Sequence, residues 1–219
     1  KADWVLGQSD EILTHVISLF PEKKTFLYRN YPDFEAPQIT NDYHSNEEKI
    51  KIVYAGLLGI AQGIFKLCQS LDYNSFELHI YGKGAEQKQI EAFINDNSEL
   101  PITYHGELTR QELHHVLLRY DMAIIPLLNR IYGSVPSKIF EYAKLGLPMI
   151  YFGGGEGEDM VVKHKLGWIA KAGDYENLNQ VLSGIKKSDL QLKRKVLIQK
   201  TAIEYFDFNK QLNALVKIL

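Results

Sequence analysis

The chain has 219 residues, 45% hydrophobic and 24% charged, which is enough for the core of one large or two small domains and excludes a disordered chain. Lys plus Arg number 25 against 27 Asp plus Glu, so a net charge of -2 gives no electrostatic footprint for nucleic acid or an anionic membrane. The single cysteine, Cys68, excludes an internal disulfide and a cysteine-rich zinc site, and no apolar run reaches the roughly 18 residues of a spanning helix, which together point to a cytoplasmic chain.

Residues 4–7 read as a strand, 9–20 as a capped helix and 25–28 as a second strand, before a turn-rich Arg29-Asn30-Tyr31-Pro32-Asp33 and a polar stretch over 35–48 that reads as a linker. From Lys49 onward short apolar runs alternate with helix-period segments, the pattern of βα units joined into a parallel sheet. Strands are predicted at 52–55, 76–81, 102–104, 121–126, 147–152 and 167–170. Between the first two, Ile60, Ile64, Leu67, Cys68 and Leu71 share a helical face; after the second, Ile90, Phe93 and Ile94 do. Thr109-Arg110-Gln111-Glu112 has capping-box spacing, and Leu113, Val116, Leu117 and Tyr120 continue that helix. Pro136 suits the first turn of a helix that ends at Gly146. Further helices are expected near 174–186, 190–205 and 209–219.

In a doubly wound sheet a small molecule binds outside the carboxyl ends of the strands, beside the loops that follow the first and fourth strands here, residues 56–63 and 127–137. Gly56, Gly59 and Gly63 do not make a dinucleotide fingerprint, and Gly82-Lys83 lacks the partners of a phosphate-binding P-loop. Gly59 and Gly106 read as plain turn formers. A helix starting near Pro136 would aim free N–H groups at the crevice and suit a phosphate, with Ser134 and Ser137 as hydroxyl donors and Lys138 as a point charge. Glu141, three residues past Lys138 and four past Ser137, shares their face and would suit ribose hydroxyls; the bland alternative is a capped helix with an ordinary Lys138–Glu141 pair. Adjacent His114 and His115 cannot chelate jointly and read as solvated or packed. Residues 153–159, glycine- and acid-rich, read as a flexible loop before a helix rather than a calcium site, so no metal is expected.

The run Val135-Pro136-Ser137-Lys138-Ile139-Phe140-Glu141-Tyr142, followed by Gly146-Leu147-Pro148-Met149-Ile150, resembles the nucleotide-sugar-binding helix of glycosyltransferase family 4, the group 1 glycosyltransferases of GT-B fold. Tyr54-Ala55-Gly56, Ala61-Gln62-Gly63, Ile80-Tyr81-Gly82-Lys83-Gly84, Tyr104-His105-Gly106 and Gly173-Asp174 fall in the family's order. The resemblance implies an α/β, Rossmann-like doubly wound sheet forming the C-terminal half of a GT-B fold. Residues 1–41 would then be the tail of an N-terminal acceptor domain and the start of a linker, 42–48 the linker, 49–188 the nucleotide-sugar-binding domain and 189–219 C-terminal helices, the last returning to the absent half; the missing initial Met fits an excised piece. It further implies a nucleotide-diphospho-sugar donor, UDP-sugar foremost, retention of configuration, no cofactor and no metal. A saccharide or lipid-linked acceptor would arrive through the N-terminal domain, in bacterial capsular polysaccharide or lipopolysaccharide assembly at the inner face of the cytoplasmic membrane, with peripheral membrane contact but no transmembrane segment and no nucleic acid.

Carried onto this chain, the resemblance makes Glu141 the ribose-holding carboxylate and puts the backbone of Ser134, Val135, Pro136 and Ser137 near the sugar and diphosphate. Gly56, Gly63, Gly82 and Gly84 would border the donor, and Leu108 would meet the base. Two departures stand out: the pattern's first glutamate falls on Gly133, and its phosphate-binding Arg and Lys fall on Leu57 or Leu58 and on Gln62. Lys138 is expected to supply the missing cation, which makes Lys138 and Glu141 the catalytic candidates. On this reading the chain folds and binds donor weakly but does not transfer sugar alone. A nucleotide-sugar epimerase of the same fold, or a non-enzymatic nucleotide-binding module, are the other readings the residues allow.

Overall fold

The structure, a computed structural model, describes residues 2–40 and 49–219. The linker expected at 42–48 therefore lies outside the described residues.

The chain begins with strand β1 (Trp4–Gly7), helix α1 (Asp10–Leu19) and strand β2 (Lys24–Leu27), and β1 and β2 pair in parallel from Trp4 opposite Lys24 to Gly7 opposite Leu27. Ser9 starts α1 as an extended N-cap whose hydroxyl accepts the Ile12 N–H at 3.2 Å, and Asp10 and Glu11 set two negative charges against the positive end of the helix.

Then come β3 (Ile50–Ala55), α2 (Ile64–Ser70), β4 (Phe76–Tyr81), α3 (Gln87–Asp96), β5 (Ile102–Tyr104), α4 (Arg110–Leu117) and β6 (Met122–Pro126). They are followed by α5 (Lys138–Lys144), β7 (Met149–Phe152), α6 (Glu156–Lys163), β8 (Gly167–Ile169) and α7 (Tyr175–Ser183), then a 3-10 turn (Lys187–Leu190), α8 (Leu192–Tyr205) and α9 (Phe208–Val216). Among the described residues β3 to β8 form one parallel sheet in the order β5-β4-β3-β6-β7-β8. The order reverses between β3 and β6, which puts the topological switch where the loops of residues 56–63 and 127–137 leave the sheet.

The strands are apolar almost throughout because both faces are covered. Ile52, Tyr54, Leu78, Ile80, Ile124 and Ile150 point into one core with Leu67 and Cys68 of α2, Ile90 of α3 and Leu178 of α7. Val53, Ala55, Tyr81, Ile125 and Tyr151 point into the other, with Leu117 of α4, Phe140 and Tyr142 of α5, Val161 of α6 and Ile198 of α8. This alternation places α4 and α5 side by side on one face. Lys195 of α8 is buried there too; burial lowers its ammonium to about 8, and Nζ donates to the Tyr120 carbonyl at 2.7 Å.

Four local readings are corrected. Ile60 is 72% exposed and lies in the loop before α2, because Gly63, at φ 62, caps the helix and sets its start at Ile64. Tyr120 is buried past the end of α4 rather than on it. Residues 156–159, read as loop, form the first turn of α6: their acids stabilise that helix end, and Glu156 is buried. Pro136 likewise precedes α5, whose first residue is Lys138, so the free backbone donors start two residues later than proline placement suggests.

Candidate functional site

At the carboxyl ends of β3, β4 and β5 the backbone is drawn tightly together. Gly56 N–H donates to the Tyr81 carbonyl at 3.0 Å, Leu58 N–H to Lys83 at 2.9 Å and Gly82 N–H to Gly106 at 2.8 Å. Such closeness leaves no room for side chains: a Cβ on Gly82, whose φ is +130°, would sit 1.8 Å from the Gly56 oxygen. A Cβ on Gly84 would fall 2.5 Å from the Leu58 oxygen and one on Gly63 2.3 Å from Leu128. These two glycines therefore permit loop packing, while Gly56 and Gly82 also border open space.

That space is a cavity of about 260 Å³ lined by Gly56, Leu57, Tyr81, Gly82, Lys83, Glu107, Leu108, Leu113 and Lys138. Of the residues singled out from sequence, Gly56, Gly82, Leu108 and Lys138 meet in its wall, although they come from three separate loops and a helix start. Ser134, Val135, Pro136 and Ser137 form the approach to α5 instead; Val135 is buried in the core, and Ser137 caps without a side-chain hydrogen bond. A wider groove of about 630 Å³ between α6 and α8 is lined by residues such as Lys165, Lys193 and Leu197, and none of the loops at the strands' carboxyl ends reaches it.

Helix α5 is fixed at the switch point by Tyr142, which is fully buried and donates its hydroxyl to the Ala55 carbonyl at the end of β3 at 3.1 Å. From there Lys138 projects into the cavity wall and Glu141 lies just behind it. Lys138 Nζ stands 2.9 Å from Glu141 Oε2, while Nε2 of His114, on α4, bonds Oε1 at 2.8 Å. Burial alone would raise the Glu141 carboxyl, but the hydrogen bond from His114 and the charge of Lys138 outweigh it and hold the group down to about 2. Glu141 is thus an oriented anion. Each oxygen takes one of these bonds and keeps acceptor capacity for another donor. A cation on the cavity wall backed by such a carboxylate suits a ligand that carries both an anionic group and free hydroxyls.

His114 is the site residue that sequence reading passed over. The sequence reads it as solvated or packed, whereas the fold brings α4 beside α5 and sets it on Glu141, 27 residues away. Only its place on the flank of the Leu113 and Leu117 stripe hints at it. His115 behaves as expected: its ring bonds the Gln111 carbonyl at 2.8 Å on the exposed side of α4.

Of the two departures from the family pattern, Gly133 is explained by α1. With φ at +69° and Ile12 2.4 Å from where a Cβ would stand, only glycine fits there. Its N–H donates to Glu11 Oε2 at 2.7 Å, and the other oxygen of Glu11 pairs with Arg130. Tyr132 donates to the Glu11 carbonyl at 3.1 Å, so α1 holds the loop that leads into α5. In return, the Glu156 carboxylate accepts the N–H groups of Asp10 and Glu11, each at 3.1 Å, and pairs with buried Arg29.

The sequence model of one protein family, described as Glycosyl transferases group 1, matches residues 35–202. No curated protein matches the chain significantly. Among solved structures, sucrose-phosphate synthase from Thermosynechococcus elongatus superposes with a TM-score of 0.79 at 15% identity, over 100% of this chain and 58% of that one. The lipopolysaccharide outer core galactosyltransferase WaaB, in its apo form, gives 0.76 at 16% identity over 100% of this chain and 63% of that one. A TarM variant from S. aureus, solved with fondaparinux, alpha-GlcNAc-glycerol and UDP, gives 0.74 at 15% identity over 98% of this chain and 43% of that one. At such identities the likeness is one of fold, an α/β Rossmann-like domain. The chain spans roughly half of the length of these neighbours, from 43% to 63%.

Proposed function

The chain belongs to the group 1 glycosyl transferases, and we propose that it is the donor-binding part of a retaining enzyme that moves a sugar from a UDP-sugar to a saccharide or lipid-linked acceptor. The observation that carries this reading is Glu141, a buried carboxylate kept charged and oriented by His114 and Lys138 beside a cavity walled by close-packed glycine loops.

In this reading the ribose hydroxyls donate to the remaining lone pairs of Glu141, the base lies along Leu108, and the diphosphate meets Lys138 and the backbone where Ser134 to Ser137 turn into α5. As the glycosidic bond breaks, negative charge grows on the leaving diphosphate. A fixed ammonium and oriented backbone dipoles stabilise that charge without reorganising. The acceptor would come from an N-terminal domain whose last elements are residues 1–41, joined by the linker at 42–48 to the nucleotide-sugar domain at 49–188 and the returning helices at 189–219. Bacterial surface polysaccharide is the product class we propose, supported by WaaB and TarM among the fold neighbours, as is UDP by its presence with TarM. The chain alone would bind donor and not transfer sugar.

Calorimetric titration with UDP, GDP and uridine tests the reading. We expect UDP to bind; binding of no nucleotide would overturn it. Product analysis of a full-length enzyme then separates a transferase from an epimerase, which turns over without an acceptor.

A further inference from the structure

We propose that His114 is a positioning residue of the donor site, holding the Glu141 carboxylate in one orientation, and that Phe34, in the segment after β2, fixes the imidazole that does so. This rests on the reading of Glu141 as a donor-binding group.

A glutamate carboxylate turns readily about its last torsion, and its orientation must come from partners. Glu141 has two. Lys138 Nζ, 2.9 Å from Oε2, is a point charge on a flexible stem and constrains direction little. His114 Nε2, 2.8 Å from Oε1, belongs to a rigid ring on a different helix and constrains it strongly. The side chains of His114 and Glu141 are only 15% and 10% exposed, so water cannot readily take the place of either.

The imidazole is itself held. The Phe34 ring stands 4.3 Å from it, tilted by 40°, and His114 cannot swing off Glu141 without displacing that ring. Phe34 in turn lies beneath Lys144 Nζ, 5.1 Å from the ring centre, and the same ammonium donates to the Pro32 carbonyl at 3.1 Å. Three residues earlier, Tyr31 meets Phe140 edge-on at 5.0 Å, next to Glu141 in sequence. The segment therefore grips α5 from behind while the cavity opens in front. His114 and Phe34 line a different cavity of about 250 Å³, and Glu141 stands between them and Lys138, which does line the donor cavity, so their path to a ligand there runs through the Glu141 carboxylate.

The test is a set of single and double variants titrated with UDP. Removing a hydrogen bond to a charged group should weaken binding about tenfold in His114→Ala, and Glu141→Ala should weaken it at least as much. If His114 works through Glu141, the double variant binds no more weakly than Glu141→Ala alone. Phe34→Ala should fall on the same path with a smaller loss, restored by Phe34→Tyr. Losses that add in the double variant, or a His114→Ala protein that binds UDP like the parent, would overturn the proposal. If the parent binds no UDP, the donor reading fails by itself. The carboxyl carbon resonance of Glu141 then still decides about His114: it should titrate at higher pH in His114→Ala, and an unchanged midpoint would refute the positioning role.

Discussion

Lys138 occupies an unfavourable place for a cation, the first residue of a helix, where the backbone dipole is positive. Glu141 offsets part of that, with Nζ 2.9 Å away, yet Lys138 is also part of the cavity wall and its side chain is 29% exposed. An anion in the cavity would relieve the rest. Lys138→Ala is therefore expected to weaken UDP about tenfold, roughly 1.4 kcal/mol, with the loss shrinking as salt is raised, and to leave uridine nearly unaffected. Equal losses for uridine and UDP in a titration at low and high salt would show that Lys138 does not meet the diphosphate.

At the scale of the element, α5 has seven residues, too few to be stable by propensity, and tertiary anchors hold it: Tyr142 on β3, Phe140 in the core with Tyr31 and Phe206, and Glu141 between two cationic or donating groups. The Glu141 carboxyl is depressed to about 2, and a depressed acid contributes stability that is present above its unfolded value near pH 4 and is lost as pH falls towards the folded one. That contribution is on the order of 2–3 kcal/mol. Urea unfolding at a series of pH values should show the parent losing more stability between pH 5 and pH 2.5 than Glu141→Gln does. Parallel pH profiles for the two proteins would mean that the ion pair and hydrogen bond do not stabilise the fold.

At the scale of the molecule, the β1-α1-β2 unit is tied to the six-stranded unit through two sets of polar contacts, one from Glu11 to Gly133, Arg130 and Tyr132 and one from Glu156 to Arg29 and the start of α1. Arg29 is 5% exposed; its guanidinium donates to the Gln8 carbonyl at 3.1 Å, to Asp10 at 3.2 Å and to Glu156, whose carboxylate in turn caps α1. Removing one member of a buried pair strands the other charge, at about 3–5 kcal/mol. Arg29→Ala should speed hydrogen exchange in residues 4–27 by about a hundredfold while the core of β3, β6 and β7 keeps its protection. Uniform loss of protection across both units would show that they open together.

Strand and helix positions were legible in the sequence because they depend on local periodicity. Phe76–Tyr81 and Ile102–Tyr104 form as read, and the Thr109–Glu112 capping box closes with bonds of 2.9 and 3.3 Å. So was the chemistry of α5, since Lys138 and Glu141 sit one helical turn apart whatever the rest of the chain does. Where an element starts depends on less local forces: Gly63 delays α2, and Glu156 enters a helix because α1 and Arg29 need its carboxylate. What only tertiary structure could determine is which distant residues meet. His114 reaches Glu141 because β6 leaves α4 and α5 adjacent on one face of the sheet, and Glu11 reaches Gly133 because α1 packs across the loop before α5. A sequence specifies which side chains can bond. The packing of its helices on the sheet selects the pairs that do.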